Sequence, residues 1–299
     1  MKHHEVAIIG AGPAGIACAI QLSRYGIVPL LFERDLPGGL LKNANLVENY
    51  PGFPGGIKGT NLIAKMTRQL DMAKIPVIHE NVARVTYLEG HFRIKTDQNN
   101  YISQKLVIAS GTVPVKWTEF VIPETIRPKM FYEVYPLKDM EDKVIAIIGA
   151  GDAAFDYALQ LAVHNKVMIF NRTEKIKCLP LLSERAKENP RISYLDNYML
   201  EKIKTEPASS CLQLFFQTKN GMESLLSDYI IFATGRRPEL SFCDPYLINH
   251  LDDYQKDGKL YFAGDVKNDL FRQASIAVGD GIRAAMEIFF NESHKKNRK

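Results

Sequence analysis

The sequence predicts an α/β protein built from two strand–helix–strand units, each with a glycine-rich turn. Three observations support this fold class. A short apolar run ending in a glycine turn occurs twice, good helix formers follow each turn, and a second apolar run follows each helix. The chain has 299 residues, of which 46% are hydrophobic and 24% are charged, so it is long enough for two globular domains.

The first unit occupies the N-terminal part of the chain. Residues 6–9 are predicted as a strand, 14–22 as a helix and 28–32 as a second strand that ends at Glu33. The glycines of the turn let backbone amides approach a pyrophosphate, and an acid at the second strand end can accept hydrogen bonds from a ribose. This pattern predicts a dinucleotide site formed by Gly10, Gly12, Pro13, Ala14, Gly15 and Glu33.

A second copy of the pattern begins at residue 144. Strands are predicted at 144–148 and 166–170, with a helix at 155–162 between them. The turn reads Gly-Ala-Gly-Asp-Ala-Ala, so alanine replaces the third glycine. The predicted contacts of this second dinucleotide site are Gly149, Gly151, Asp152, Ala153, Ala154, Asn171 and Arg172.

The end of this second unit favours NADP over NAD. Arg172 follows the strand, Lys175 and Lys177 lie just beyond it, and no acid stands where a 2′-hydroxyl would be bound. An arginine at this place can hold a 2′-phosphate. The alternative interpretation is a basic surface loop without a ligand.

The other predicted elements complete each unit. Residues 59–73 have the apolar spacing of a helix with one buried stripe. The β-rich runs separated by turn residues predict a meander that closes the first unit and a similar set that closes the second, at 83–88, 91–95, 105–109, 212–217 and 229–234.

Charge and cysteine content exclude several functional classes. The 38 Lys and Arg residues face 34 Asp and Glu residues, and four of the cations lie in the last five positions, so nucleic acid is not expected as a partner. The cysteines are single, at 18, 178, 211 and 243, without metal-ligand spacing, so no metal is expected and a reducing, cytoplasmic compartment is favoured. No segment reads as a membrane span.

Motifs along nearly the whole chain resemble the low-molecular-weight thioredoxin reductases, two-domain flavoproteins that use FAD and a nicotinamide cofactor. Besides the two glycine turns, the matching segments are Gly-Gly-Leu-Leu at 38–41, Val-Glu-Asn-Tyr-Pro-Gly-Phe at 47–53, Ala-Ser-Gly at 109–111, Ala-Thr-Gly at 233–235, Phe-Ala-Gly-Asp-Val at 262–266, Arg-Gln-Ala at 272–274 and Gly-Asp-Gly at 279–281.

The resemblance implies two Rossmann-like, three-layer domains of the pyridine nucleotide-disulfide oxidoreductase type. The FAD domain would comprise residues 1–113 and 241–299, and the NAD(P) domain residues 114–240. Members of the family form homodimers. Within this family Glu33 would bind the FAD ribose. The further cofactor contacts implied are Arg34, Gly39, Leu40, Leu41, Asn49, Val82, Ser110, Gly111, Gly235, Gly264, Asp265, Arg272, Gln273 and Ala274.

The same resemblance implies that Gly39 and Asn49 lie along the flavin and that Asp265 meets its ribityl or phosphate end. Residues 272–274 would bring backbone amides and a helix N-terminus to the flavin pyrimidine, which suits the negative charge of reduced flavin. The alternative for Gly235, Gly279 and Gly281 is that they only permit close backbone packing.

One departure separates the chain from that family. Counting back from residue 144 places the family's redox-active C-x-x-C at 131–134, which reads Phe-Tyr-Glu-Val. A dithiol relay is therefore not expected here. Bacillithiol-disulfide reductases instead carry a cysteine inside the first glycine turn, where this chain has Ala14.

Thioredoxin reductase-like ferredoxin (flavodoxin) NADP reductases share both nucleotide domains and lack the dithiol. We therefore expect an FAD-dependent NAD(P)H oxidoreductase that passes electrons to a ferredoxin- or flavodoxin-type protein or to a small molecule, with no catalytic side chain assigned. The alternatives are a disulfide reductase that uses unconventional cysteines and a flavoprotein that binds nucleotides without turnover. A basic tail at 295–299 could steer an acidic partner.

Overall fold

The computed structural model describes residues 3–205 and 211–296, with side chains up to residue 291. The chain divides into two compact units. Unit 1 comprises Met1–Lys42, Val47–Val113 and Arg237–Lys299, and unit 2 comprises Asn43–Leu46 and Pro114–Arg236. The basic side chains at 295–299 lie outside the described part.

The N-terminal part of unit 1 alternates strands and helices and then forms a meander. β1 is parallel to β2 and β6, whereas β4 and β5 are antiparallel to their neighbours. The strand order is β3-β2-β1-β6-β5-β4. The elements are β1 (His3–Ile9), α1 (Pro13–Arg24), β2 (Leu30–Glu33), α2 (Gly59–Met72), β3 (Val77–His79), β4 (Val82–Leu88), β5 (His91–Thr96), β6 (Asn100–Ile108) and β7 (Thr112–Pro114).

Unit 2 contains a parallel sheet and a smaller antiparallel sheet. Their strand orders are β11-β10-β9-β15-β8 and β12-β13-β14. Phe170 of the first sheet stacks on Phe216 of the second, with ring centroids 4.2 Å apart. The elements are β8 (Met130–Phe131), β9 (Val144–Ile148), α3 (Asp152–Leu161), β10 (Lys166–Asn171), α4 (Pro180–Glu188), β11 (Ile192–Asp196), β12 (Met199–Thr205), β13 (Leu212–Thr218), β14 (Gly221–Ser227) and β15 (Tyr229–Phe232).

The C-terminal part of the chain returns to unit 1. β17 pairs in parallel with β6, which adds a seventh strand to that sheet, and α7 packs along α1. The short strands β7 and β16 form a separate two-stranded sheet. The elements are β16 (Arg236–Pro238), α5 (Pro245–Asn249), α6 (Leu251–Lys256), β17 (Leu260–Phe262) and α7 (Ala274–Lys296).

Both predicted strand–helix–strand units are confirmed, with shifts at their ends. The helices begin at Pro13 and Asp152, directly after the glycine turns, and β2 begins only at Leu30, after Pro29, so that Val28 lies outside it and is 63% exposed. Central strands are buried on both faces, which explains why β1 and β9 read as unbroken apolar runs.

The predicted division of the chain differs from the observed units in two places. Residues 43–46 group with unit 2, and residues 237–240 group with unit 1. The second difference has a local cause, since the Glu239 N–H donates to the Gly111 carbonyl and the Glu239 carbonyl accepts from the Ser110 hydroxyl. Among the described helices, none is long and apolar enough to cross a membrane.

Candidate functional site

The first glycine turn leaves the N-terminus of α1 open. Gly12 caps this helix without any side-chain hydrogen bond, and a Cβ on Gly12 would meet nothing within 4 Å. In contrast, a Cβ on Gly15 would lie 1.8 Å from the Gly10 carbonyl oxygen, so only glycine allows α1 to start this close to β1. Pro13 and Ala14 form the first turn of α1, and the amides there suit an anionic ligand.

Glu33 stands at the end of β2, beside the first glycine turn. Its carboxylate accepts from the N–H of Ala11 at 2.9 Å and from the N–H of Asp35 at 3.0 Å. These bonds fix the side chain and leave lone pairs for ribose hydroxyls, because a carboxylate has about four acceptor positions. The neighbouring Arg34 is exposed and lies 3.9 Å from the carboxylate of Glu239, whose side chain is largely covered.

The turn at 38–39 lies against the first glycine turn. The Gly38 N–H donates to the Ala11 carbonyl at 2.7 Å, and a Cβ on Gly39 would lie 3.3 Å from the Cα of Gly12. Leu40 and Leu41 continue from Gly39 in a short 3₁₀ helix. Val82 is buried at the start of β4, and Ser110 and Gly111 follow β6.

The start of α7 and the loop at 47–53 meet through side chains. Asn49 Nδ2 donates to Gln273 Oε1 at 2.8 Å, and the Ser275 hydroxyl donates to the Asn49 carbonyl at 3.3 Å. Arg272 Nε is buried and has no hydrogen-bond partner in the described structure. A buried donor at the start of a helix, next to Ala274, fits an acceptor group from a bound flavin dinucleotide.

Asp280 organises the segment that contains Gly264 and Asp265. Its carboxylate accepts from the Gly264 N–H at 3.2 Å and from Asn268 Nδ2 at 2.5 Å, and it forms an ion pair with Lys267 at 3.0 Å. Asp265 lies half-buried in the same segment. The sequence motif contains Asp280 but predicts no role for it, because these bonds depend on how α7 packs.

The two uncertain glycines of the Gly-Asp-Gly segment differ in structure. A Cβ on Gly281 would lie 2.0 Å from the Ala14 carbonyl oxygen, so this position permits close packing of α7 on α1. A Cβ on Gly279 would meet nothing within 4 Å, so no described residue of unit 1 requires a glycine there. Gly235, at φ +126°, is 4.0 Å from Val115 and is required by its backbone conformation instead.

The second glycine turn has the same geometry in unit 2. Gly151 caps α3 without a side-chain bond, and a Cβ on it would meet nothing within 4 Å. Gly149, at φ +119°, lies so close to Ala233 that a Cβ would be 2.5 Å from that residue's carbonyl oxygen. Ala154 is fully buried in the third position, and Ala153 is exposed in the first turn of α3. The open helix N-terminus fits the pyrophosphate of a second dinucleotide.

The basic loop at 171–179 is held at both ends. At its start, Asn171 Nδ2 donates to the Lys175 carbonyl at 3.1 Å and to the Tyr194 hydroxyl oxygen at 2.9 Å. At its end, the Lys177 N–H donates to the Ala150 carbonyl at 3.2 Å, which lies in the second glycine turn. Asp152 Oδ1 also accepts from Leu179 N–H, at 2.8 Å. The loop therefore lies beside the N-terminus of α3, with Arg172, Lys175 and Lys177 exposed.

The segment at 131–134 is built into the packing of unit 2. Phe131 contacts the Tyr229 ring edge-to-face at 6.0 Å, and Val134 is fully buried. The Tyr132 hydroxyl accepts from the Trp117 N–H at 3.0 Å. These side chains serve as core and contact groups.

Glu133 is the one acidic residue of that segment. It forms an ion pair with Arg236 at 3.2 Å and accepts from Asn43 Nδ2 at 2.8 Å. Both oxygens of the Glu133 carboxylate therefore have a partner inside unit 2. Burial, and secondarily the charge of Glu133, raises the pKa of the nearby Tyr157 to about 12.

Three of the four cysteines, Cys18, Cys178 and Cys243, have weakly acidic thiols. Burial raises the pKa of Cys18 far above its usual range and that of Cys243 to about 12. Burial and then the charge of Asp152 raise the pKa of Cys178. Among the described residues, no group of three or more His, Cys, Asp or Glu side chains is arranged to hold a metal ion.

The chain that carries these two glycine turns is similar to known proteins along most of its length. The model of the pyridine nucleotide-disulphide oxidoreductase family matches residues 4–281. The chain belongs to this family. The thioredoxin reductase of Rickettsia felis is 28% identical over 303 residues, which cover 95% of this chain and 96% of that protein. The oxidoreductase is thioredoxin reductase-like, and proteins of this kind use FAD and NADPH, the cofactors that its sequence favours.

Solved structures show the same fold. The crystal structure of Lactococcus lactis thioredoxin reductase in its FR conformation has a TM-score of 0.84 at 27% identity and covers 97% of the oxidoreductase and 99% of that chain. A bacillithiol disulfide reductase from Bacillus cereus has a TM-score of 0.76 at 19% identity, covering 97% of the oxidoreductase and 100% of its own chain, which supports the fold alone.

Proposed function

We propose that the oxidoreductase takes hydride from NADPH and delivers electrons to an acceptor from outside the chain, without a thiol pair of its own. FAD, when bound, supplies the chemistry that accepts a hydride and releases electrons. The proposal is supported by the segment at 131–134, where counting back from residue 144 predicts the family's dithiol and where the chain has core side chains and an ion-paired glutamate instead of cysteines.

We assign the binding roles to the elements that fit each group. In unit 1, the N-terminus of α1 and Glu33 would hold the adenosine diphosphate half of FAD, and Gln273 with the start of α7 would face the flavin. In unit 2, the N-terminus of α3 would hold the pyrophosphate of NADP.

The basic loop beside that helix would hold the 2′-phosphate of NADP. Arg172, Lys175 and Lys177 are exposed on a loop that is fixed at both ends, so their charges stay close to the second dinucleotide site. Arginine pairs with phosphate through two parallel hydrogen bonds, and lysine adds a point charge.

Two acceptor classes follow from different observations. The missing dithiol favours a protein or small molecule that accepts electrons directly, such as a ferredoxin or flavodoxin. The names of the relatives favour a thioredoxin disulfide. The raised thiol pKa values weigh against the second, because thiolates are the reactive species in disulfide exchange. The single cysteines also fit a reducing, cytoplasmic compartment.

Flavin bleaching tests the first half of the proposal. FAD-loaded protein is mixed with NADPH or with NADH in the absence of oxygen, and the visible absorbance of the flavin is followed. We expect bleaching, faster with NADPH. No bleaching with either nucleotide would show a protein that binds nucleotides without turnover and would overturn the proposal.

A cysteine-free variant tests the second half. Cys18→Ala, Cys178→Ala, Cys211→Ala and Cys243→Ala are combined, and FAD content is checked so that a folding defect is not read as a catalytic one. We expect unchanged reduction of ferredoxin, flavodoxin or a redox dye by NADPH. If turnover is lost while FAD is retained, a thiol of the chain takes part and the proposal is wrong.

We also propose that the oxidoreductase forms a homodimer through α7. The outer face of this helix has an apolar stripe at i, i+4 and i+8, in which the exposed fractions of Ile282, Met286 and Phe290 are 38%, 40% and 49%. Gly279 extends the stripe, and no described residue of the chain lies within 4 Å of its Cβ position. A helical glycine with open space in front of it allows another helix to come close.

The charges beside the stripe favour a second copy as the occupant. Arg283 and Glu287 flank it one turn apart and lie on the same exposed face. When two α7 helices pack antiparallel about a twofold axis that passes level with residue 285, Arg283 of each copy comes opposite Glu287 of the other. The face is therefore self-complementary, as an isologous interface requires.

A further inference from the structure

The basic loop at 171–179 contains one acid, Glu174, between Arg172 and Lys175. A carboxylate at this place opposes the binding of a phosphate dianion, because like charges repel across several ångströms of water. The structure shows where this carboxylate goes. Glu174 is bound by the Lys219 ammonium, which comes from the turn between β13 and β14, outside both predicted nucleotide motifs.

Two features indicate that this pair acts through its charge and not through stability. The side chains of Lys219 and Glu174 are 65% and 69% exposed, and exposed ion pairs contribute little to folding. The turn that carries Lys219 is already held by Thr218, whose hydroxyl donates to the Gly221 carbonyl at 2.9 Å and accepts from the Asn220 N–H at 3.1 Å. The hydrogen bonds of Thr218 therefore hold this turn without a contribution from the Lys219 side chain.

We propose that Lys219 is a positioning residue for nucleotide specificity: it holds Glu174 aside and cancels its charge, so that the loop presents Arg172, Lys175 and Lys177 to an adenosine 2′-phosphate. The inference rests on the 2′-phosphate site proposed above. Lys219 would thus be a specificity determinant outside the loop, 42 positions after Lys177 in the sequence. The hydrogen bond and the charge of Lys219 also lower the pKa of Glu174.

Removal of the Lys219 side chain should weaken the binding only of ligands that carry a 2′-phosphate. A unit charge facing a phosphate at roughly 8 Å in water changes affinity by about fivefold at low ionic strength. The effect should shrink as salt is added, since charges at this distance are screened near physiological ionic strength. Nucleotides with a 2′-hydroxyl in place of the phosphate should bind equally well to the original protein and to the variant without Lys219.

The experiment compares 2′,5′-ADP with 5′-ADP, titrated calorimetrically into FAD-loaded protein. The variants are Lys219→Ala, Glu174→Gln and both together, with Lys219→Arg as the conservative replacement. Lys202→Ala, on the exposed side of the neighbouring strand β12, removes one positive charge of unit 2 away from Glu174 and is the matched control.

We expect Lys219→Ala to weaken the binding of 2′,5′-ADP by about fivefold and to leave the binding of 5′-ADP unchanged. The control Lys202→Ala should bind both nucleotides like the original protein. Lys219→Arg and the double variant should bind 2′,5′-ADP like the original protein. An equal loss for both nucleotides, or a double variant as weak as Lys219→Ala, would overturn the role of Lys219. If the original protein binds 2′,5′-ADP no more tightly than 5′-ADP, the 2′-phosphate site itself fails, which is a separate outcome.

Discussion

Gly281→Ala tests the contact between α1 and α7 on which the first dinucleotide site depends. The added methyl would lie 2.0 Å from the Ala14 carbonyl oxygen and 3.0 Å from the Cys18 nitrogen. An ordinary contact is about 3.5 Å, so the helices would have to separate by about 1.5 Å. Overpacking of this kind costs about 3 kcal/mol, and the better helix propensity of alanine returns about 1 kcal/mol. We expect a net loss of about 2 kcal/mol.

The assay is thermal unfolding of the FAD-loaded protein, followed by circular dichroism and by the release of flavin fluorescence. A loss of about 2 kcal/mol should lower the midpoint of the flavin signal by about 4 to 8 °C. The control is Gly279→Ala in a monomeric sample, two residues earlier in α7, where a methyl meets nothing within 4 Å and only the propensity gain applies. If both variants lose the same stability, or if Gly281→Ala loses none, the close contact with Ala14 does not exist.

Two further predictions concern the α7 face and a helix cap. Arg283→Glu and Glu287→Arg should each produce monomers in light scattering, and the combined swap should restore the dimer; a monomeric double variant would refute the pairing. Asp244 accepts from the Leu247 N–H at 3.0 Å and pairs with Arg84, and these two contacts lower its pKa. Asp244→Ala should therefore lower the melting temperature at neutral pH, and the difference should disappear as pH falls through the native pKa; a pH-independent difference would contradict this origin.

The local pattern of the sequence was sufficient for the two nucleotide-binding units. Strand, glycine turn and helix are set by contacts between near neighbours, so periodicity and turn residues predicted them. The helix α4 and the strands β11, β12 and β14 were not predicted. Their burial is partial: the residues of β14 alternate between exposed and half-buried, for example, which leaves only a weak apolar signal.

Long-range pairs in the site could not be predicted in the same way. Asn49 and Gln273 meet across 224 residues, and Ser110 and Glu239 across 129. Such bonds depend on which strands pair and how a returning helix lies, and no local propensity carries that information. Gly279 and Gly281 show the limit clearly, because one motif contains both and only the packing of α7 decides which of them faces Ala14.

The packing of residues 131–134 bears on the proposal that the chain has no dithiol relay there. A thiol pair placed at 131 and 134 would remove Val134 from the core of unit 2 and Phe131 from its contact with Tyr229. Glu133 between them would still be tied to Arg236. A reactive thiol needs partial exposure and a nearby positive charge to form thiolate, whereas position 134 is fully buried and the Arg236 charge is already paired. The packing of unit 2 therefore disfavours a dithiol relay at this place, which is why we expect the acceptor to receive electrons without one.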